Sequence, residues 1–202
     1  MTDYGTTNQL RLAVLISGSG RTLANLLERS AAGSLAATVD LVVANRNLIG
    51  GLEIAAAAGV PTEIISRADQ PLRQWSAAIF DRCRAAGVDL VVMAGFLQLL
   101  EIPADFTGRV INIHPSLLPA FGGKGFYGDH VHRAVLERGC TVSGCTVHFV
   151  DNEYDHGRII LQQAVPVLPE DDHERLAVRV FKAECDTLPA AINQLAAGEL
   201  SS

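Results

Sequence analysis

Short apolar runs alternate with amphipathic stretches along the first half of the chain. Runs such as LAVLIS, TVDLVVAN and LVVMA are largely apolar throughout, which is the pattern of strands covered on both faces of a sheet. The stretch Gln70–Ala86 instead carries apolar residues at approximately helical spacing. The pattern predicts strands at Leu12–Ser17, Thr38–Asn45, Pro61–Ile65, Leu90–Ala94 and Val110–Ile113, and helices at Leu23–Ser30, Gly51–Ala58 and Gln70–Ala86.

After Gly139 the pattern changes. Two strands, Thr141–Val150 and Ile159–Val167, are joined by the polar turn DNEYDHG, and a final helix is predicted at Glu170–Ala196. Strand–helix alternation followed by two paired strands predicts an α/β fold with a doubly wound, mostly parallel sheet and an antiparallel C-terminal edge. A chain of 202 residues is long enough for one domain with a substantial core, so we expect a single domain over residues 1–202.

Composition restricts the class of protein. Hydrophobic residues make up 49% of the chain and charged residues 19%, which is typical of a globular soluble protein. A net charge of −6 without a basic tract argues against nucleic acid as a partner, although a local site can still bind a small anion. The apolar runs are shorter than the ~20 residues that cross a bilayer, so no membrane partner is expected.

The cysteines and the N-terminus both favour a cytoplasmic location. The four cysteines contain no CxxC pair and lie among apolar or small residues, so we expect reduced thiols. The stretch MTDYGTTNQLR lacks the basic-then-apolar build of a signal peptide.

A glycine-rich stretch, SGSGRTLANLL, follows the first predicted strand and opens the first helix. Outward-facing backbone N–H groups and a helix N-terminus make phosphate a suitable ligand there. The nucleotide P-loop pattern needs a Lys that is absent, and the dinucleotide pattern needs a third glycine where Leu23 stands. Two interpretations stay open: a cradle for one phosphate formed by the N–H groups of Gly20, Arg21 and Thr22, or an ordinary tight turn.

Asn112 and His114 lie two residues apart at the end of a predicted strand, so they point to the same side of the sheet. Leaving either group unsatisfied would cost ~1–3 kcal/mol. An amide donor beside an imidazole can stabilise the oxyanion of a carbonyl under attack, and the imidazole can move a proton. A histidine in an apolar strand is also typical of a satisfied core residue. Asp155, in the downstream turn, is a candidate proton partner.

Ligands of open α/β sheets bind at the carboxyl ends of the strands. We therefore expect the stretches Ser17–Gly20 and Asn112–Pro115 to share one cleft. The glycine-rich stretch Phe121–Asp129 is either a mobile loop over that cleft or a plain surface loop. A metal site formed by His130, His132, His148 and His156 is a disfavoured alternative, because residues i and i+2 of a helix diverge.

Four segments carry a resemblance to a known family: LISGSGRTLANLL, AGFLQLL, VINIHPSLLPAF and SGCTVHFVDNEYDHGRIILQ. In this order and spacing, they closely resemble the glycinamide ribonucleotide formyltransferases, from about Leu12 to the last helix. NIHPSLLP, with an Asp seven residues after the His of TVHFV, is specific to folate-dependent formyltransferases and their hydrolase relatives.

The resemblance implies transfer of a formyl group from 10-formyltetrahydrofolate to the amine of glycinamide ribonucleotide in purine biosynthesis. The alternatives are formyltetrahydrofolate hydrolase, or another formyltransferase, working through the same Asn–His–Asp site. A folate-binding protein without catalysis is an alternative from a different class. The two small molecules would be the only partners, with no metal, and the protein would be a monomer or a homodimer.

The resemblance also implies roles for individual residues. It implies a catalytic trio of Asn112, His114 and Asp155. It implies substrate contacts by Gly20, Arg21 and Thr22 to the phosphate and by Glu184 to the ribose. It implies folate contacts by Leu97, Gln98, Leu99, Leu100, Arg73 and Asp151. Residues from about 11 to 110 would form a phosphate-binding half, and those from about 111 to 197 a folate-binding and catalytic half.

Some positions depart from the family pattern. Arg21-Thr22 stand where Ser-Asn is common, Gln98 where an Arg is frequent, and Phe181 where a polar residue near the phosphate is frequent. The loop Phe121–Asp129 is longer than in the shortest members. Its Lys124 and Tyr127 have no assigned role, and the preferred length of the folate's glutamate tail stays open.

Overall fold

The computed structural model describes residues 9–199, so the first eight residues of the N-terminal stretch considered above lie outside the described part. One seven-stranded sheet runs through the molecule, with its strands in the spatial order β3-β2-β1-β4-β5-β6-β7. The strands are β1 (Leu10–Ile16), β2 (Ala37–Ala44), β3 (Thr62–Ile64), β4 (Leu90–Met93), β5 (Val110–His114), β6 (Val142–Phe149) and β7 (Ile159–Pro166).

The first five strands pair in parallel, whereas β6 and β7 are added antiparallel at one edge. This confirms the doubly wound, mostly parallel sheet with an antiparallel C-terminal edge. The helices are α1 (Arg21–Ala31), α2 (Gly50–Ala57), α3 (Leu72–Ala85), α4 (Asp129–Glu137) and α5 (His173–Ala196). A short 3-10 helix at Ala104–Phe106 lies between β4 and β5.

Alternate residues of β1 pack on opposite faces of the sheet. Leu12, Val14 and Ile16 join the core formed with α1, α2, α4 and α5. Ala13 and Leu15 join the core formed with α3. All five are completely buried, which explains why this strand reads as a continuous apolar run rather than an alternating one.

The order of strands reverses at β1. The chain builds β2 and β3 on one side of β1 and then returns to its other side as β4. In such sheets, ligands bind at the carboxyl ends of the strands beside this switch point. Within residues 9–199, none of the helices combines the length and apolar character needed to cross a membrane.

Candidate active site

A cleft of about 520 Å³ opens at the carboxyl ends of β1, β4 and β5. Residues 18–20, after β1, and residues 112–115, at the end of β5, both line it. The prediction that the two stretches share one cleft is therefore confirmed for residues 18–20 and 112–115, whereas Ser17 is outside the lining. The remaining walls come from the segment after β4, the loop before α4, the turn between β6 and β7, and one face of α5.

Asp155 joins the two polar residues of β5. Its Oδ2 lies 3.4 Å from His114 Nδ1 and accepts a hydrogen bond from the Gly123 N–H at 2.9 Å. Its Oδ1 accepts from Asn112 Nδ2 at 3.5 Å. His114 is only 3% exposed and Asn112 is half-buried. One carboxylate from a distant turn thus contacts both side chains that the strand pattern placed on one face.

The turn that carries Asp155 approaches the sheet closely. Asp155 has a left-handed backbone with φ of 51°, a conformation that costs a non-glycine residue of order 1–3 kcal/mol. A Cβ at Gly157 would lie 1.9 Å from the carbonyl oxygen of Phe149, so glycine is required for the chain to pass there. The neighbouring Asp151 remains solvent-accessible and pairs with His156 at 2.7 Å. The turn therefore directs Asp155, and not Asp151, into the cleft.

Burial and charge act in opposite directions on the pKa values of this cluster. Burial lowers the pKa of His114, and the negative charge of Asp155 opposes that effect without overcoming it. Burial also raises the pKa of Asp155, but the nearby His148 at 3.7 Å, the charge of His114 and the hydrogen bond from Gly123 outweigh it and leave that pKa below its ordinary value. For His114, burial is therefore the stronger of the two opposing effects, and the charge of Asp155 the weaker.

The partners of His114 fix the location of its first proton. Nε2 lies 2.8 Å from the carbonyl oxygen of Phe121, and a carbonyl oxygen only accepts, so Nε2–H is the donor. In the neutral ring, Nδ1 therefore presents its lone pair towards Asp155. A second proton on Nδ1 would be stabilised directly by the carboxylate at 3.4 Å.

His148 is a site residue that the sequence analysis missed, having considered it only as a metal ligand. It is 2% exposed and lies opposite Asn112 in the pairing of β5 with β6. Its Nδ1 donates to the carbonyl oxygen of Phe149 at 2.8 Å, so the neutral ring accepts from Asn112 Nδ2 through Nε2 at 3.2 Å. The register that brings the two side chains together spans 36 residues of chain, and the sequence pattern does not define it.

The four histidines of the alternative metal site are not gathered in the fold. In the part of the chain that the structure describes, no three His, Cys, Asp or Glu side chains are grouped so as to hold a metal ion. His156 is paired with Asp151 near the surface, whereas His148 is buried beside Asn112.

At the other end of the cleft, the glycine loop meets α5. Gly20 has φ of 76° and precedes α1, and a Cβ there would lie 2.4 Å from Gly51 Cα. Arg21 and Thr22 begin the helix and line the cleft, as does Glu184 on α5. Burial raises the pKa of Glu184 to about 7, against the opposing positive charge of Arg21.

The structure brings most of the remaining predicted site residues to the same cleft. Lining residues include Leu97, Gln98, Leu99 and Leu100 after β4, and Lys124 and Tyr127 in the loop before α4. Arg73 and Asp151 are outside this lining. The Arg73 side chain is 88% exposed and lies 3.8 Å from Glu101. Folate contacts by these residues remain predictions.

Comparison with known sequences identifies relatives along almost the whole chain. Residues 10–192 match the family model described as formyl transferase. The chloroplastic phosphoribosylglycinamide formyltransferase of Vigna unguiculata is 43% identical over 182 residues, covering 89% of this chain and 58% of that protein. The trifunctional purine biosynthetic protein adenosine-3 of Drosophila pseudoobscura pseudoobscura is 44% identical over 195 residues, or 94% of this chain and 14% of that protein. This chain thus spans less than two thirds of either relative.

Solved structures agree over nearly full length. Glycinamide ribonucleotide transformylase 1 from Symbiobacterium toebii is 41% identical with a TM-score of 0.91, covering 100% of this chain and 94% of that chain. Phosphoribosylglycinamide formyltransferase from Brucella melitensis is 37% identical with a TM-score of 0.84, covering 96% and 99%. The resemblance read from the sequence is confirmed: the chain belongs to the formyl transferase family, among the phosphoribosylglycinamide formyltransferases.

Proposed function

We propose that this protein transfers a formyl group from 10-formyltetrahydrofolate to the amine of glycinamide ribonucleotide, a reaction of purine biosynthesis. The observation that carries the proposal is the position of Asp155, whose carboxylate contacts both Asn112 and His114 on the wall of a cleft. Family membership supports the choice of formyl transfer as the reaction, because relatives that match nearly the whole chain are named for this activity.

In the proposed reaction, the uncharged amine attacks the formyl carbon. A C–N bond forms and the carbonyl electrons move onto oxygen. One N–H of Asn112 would donate to this oxyanion in exchange for its long contact of 3.5 Å with Asp155, and the charge of a protonated His114 would stabilise it electrostatically. The bond from the formyl carbon to the folate nitrogen then breaks, and one proton passes from the attacking amine to that departing nitrogen. Asp155, with its depressed pKa, is ionised and accepts this proton on the way, through a water molecule.

His114 would take a proton from water on Nδ1 while negative charge develops on the formyl oxygen, and would return it when the oxyanion collapses. Asp155, 3.4 Å away, would stabilise that proton. Because burial opposes that protonation in the free protein, the imidazolium is favoured chiefly when the oxyanion is present. This makes the stabilisation larger in the transition state than in the ground state, which is the condition for catalysis. Holding the two substrates in line would supply much of the remaining rate.

The substrates are proposed to lie along the cleft. The N–H groups of Gly20, Arg21 and Thr22 would hold the phosphate and Glu184 the ribose, while the pterin would lie along residues 97–100. We retain a single domain over residues 1–202 as part of the proposal. Its two halves would share both subsites, since Glu184 belongs to the second half and residues 97–100 belong to the first.

The proposed location is the cytoplasm. The described cysteines, Cys83, Cys140, Cys145 and Cys185, are free thiols, which fits a reducing compartment, although the Vigna unguiculata relative is described as chloroplastic. A monomer or a homodimer is proposed, and sedimentation of the purified protein distinguishes the two.

The experiment that tests the function mixes purified protein with 10-formyltetrahydrofolate and follows deformylation of the folate with and without glycinamide ribonucleotide. Deformylation that requires the ribonucleotide and yields its formylated product supports the proposal. Release of formate at the same rate without the ribonucleotide would identify a hydrolase instead. Saturable folate binding without turnover would identify a binding protein.

A further inference from the structure

The cleft contains an arginine that forms no ion pair with a carboxylate of residues 9–199. Arg21 and Lys124 are the only lysine or arginine side chains among the described residues that line it. Within residues 9–199, Arg21 makes no hydrogen bond and no ion pair through its guanidinium. Other arginines of the molecule bond to carboxylates or carbonyl oxygens, namely Arg11, Arg29, Arg84, Arg109 and Arg179.

Phe181 gives this free guanidinium a defined position. The guanidinium carbon of Arg21 lies 4.2 Å from the centroid of the Phe181 ring, which is within the range of a cation–π contact. Phe181 and Glu184 are three residues apart on α5 and both line the cleft, as expected of positions one turn apart. Stacking uses the face of the guanidinium and leaves its edge, with five N–H donors, free for an acceptor.

We propose that the Arg21 side chain is itself a ligand of the substrate's phosphate monoester, with Phe181 as the platform that holds it in place. This inference rests on the proposed function and adds a side-chain contact to the backbone N–H groups of the loop. A guanidinium fork fits two phosphate oxygens in a bidentate pair. Because Arg21 forms no ion pair with any described carboxylate and acts on Glu184 only through its charge, no described ion pair has to break when the anion binds.

The position of Glu184 indicates a second role for Arg21, which is to reduce the repulsion between Glu184 and a bound phosphate. A carboxylate and a phosphate at the same end of a cleft repel each other unless a cation reduces the repulsion. The positive charge of Arg21 already acts on Glu184. Arg21 can therefore serve both anionic groups, which would let Glu184 remain near a bound phosphate and contact the ribose.

Four variants test the inference: Arg21→Ala, Arg21→Lys, Phe181→Leu and the double variant Arg21→Ala/Phe181→Leu. In low salt, Arg21→Ala should raise KM for glycinamide ribonucleotide about ten- to thirtyfold, as expected for a charged hydrogen-bonded pair. The value of kcat and the KM for the folate should change less than about twofold. Lys supplies charge without the fork, so Arg21→Lys should recover only part of the loss.

Phe181→Leu keeps an apolar side chain of similar volume and removes the ring, so it should raise the same KM by about threefold. The double variant should match Arg21→Ala alone, because the ring acts only through the guanidinium. Lys182→Ala is the matched control, since it removes an exposed cation adjacent to Phe181 that does not line the cleft. It should leave all constants unchanged.

A second readout does not depend on formyl transfer. Inorganic phosphate should raise the unfolding temperature of the wild type, and the concentration needed should increase about tenfold in Arg21→Ala. Unchanged KM and unchanged phosphate protection in Arg21→Ala would overturn the inference. A wild type that is protected through Arg21 but does not formylate the ribonucleotide would instead overturn the proposed function and leave a phosphate site.

Discussion

The two ends of the cleft use polar groups in opposite ways. At the proposed catalytic end, Asn112, His114, His148 and Asp155 come from β5, β6 and the following turn, and each has a partner inside the protein. At the proposed phosphate end, the glycine loop offers backbone groups, and Arg21 offers a guanidinium that forms no ion pair with a described carboxylate. The first end is a buried network completed before substrate arrives, and the second is an exposed set of donors that an incoming anion completes.

This difference separates catalysis from binding. Polar groups of a buried network must all be satisfied, because an unpaired one costs free energy in a medium of low dielectric constant. Such a network holds its side chains in one arrangement, which suits an oxyanion site. Exposed donors are screened by water and salt, so losing one should weaken binding and leave the chemical step unchanged.

The largest effect is expected from Asp155→Asn. The substitution keeps the shape of the side chain but removes the charge that stabilises a proton on His114 and the group proposed to accept the amine proton. We expect kcat to fall by roughly 10²–10⁴-fold, with the KM values of both substrates changing much less. Steady-state kinetics with each substrate varied in turn measures the two separately.

Asp40→Asn is a matched control for that variant. Asp40 is a partly buried carboxylate of β2 that pairs with Arg11 at 2.7 Å and does not line the cleft. Its kcat should stay at the wild-type value. An undiminished kcat in Asp155→Asn would contradict the proposed proton route. It would also mean that neither end of the cleft contains a carboxylate on which the chemical step depends.

A smaller loss of kcat is expected from His148→Ala. The imidazole accepts a hydrogen bond from the Asn112 amide at 3.2 Å and lies 3.7 Å from Asp155, so its removal frees that amide to rotate. The expected fall in kcat is roughly tenfold, with KM unchanged. His148→Gln can restore an acceptor and should recover part of the loss, whereas a merely space-filling role predicts no such recovery. His173→Ala, at a half-buried site outside the cleft, serves as the control.

The sequence predicted different parts of the site at the two ends of the cleft. Asn112 and His114 share a face because strand geometry has a period of two, so their proximity follows from local pattern alone. Their contacts with His148 and Asp155 depend on an antiparallel register and on a left-handed residue in a turn. Neither of these is encoded in the spacing of apolar residues.

At the phosphate end, the sequence indicated the glycine loop but not the role of α5. Gly20, Arg21 and Thr22 are consecutive, so a strand-to-helix turn presents them together. Phe181 contacts Arg21 only because α5 packs against α1, although the two residues are 160 positions apart in the sequence. The local pattern therefore predicted the fold and the separate site segments, whereas contacts between distant segments required the tertiary structure.

The smallest expected effect is on how stability depends on pH. His114 and Glu184, at the two ends of the cleft, change the free energy of unfolding in opposite directions as the pH rises. His114 has a lowered pKa because it is buried, so below its unfolded value of about 6.5 the unfolded chain binds a proton that the folded chain resists. The catalytic end therefore loses stability as the pH falls through this range. Glu184 has a pKa raised to about 7, so its contribution is fully present below about 4.5 and is lost as the pH rises to 7.

Glu184→Gln isolates the phosphate end, because glutamine keeps the shape of the side chain and does not ionise. We expect the free energy of unfolding of the variant, minus that of the wild type, to increase between pH 4.5 and 7 by roughly 1–3 kcal/mol and then to level off. Urea denaturation at intervals of pH measures this difference. Both proteins should still lose stability in acid, since His114 is unchanged. A difference that stays constant from pH 4.5 to 8 would mean that Glu184 ionises as freely in the folded protein as in the unfolded chain, which would remove the contrast in sign between the two ends.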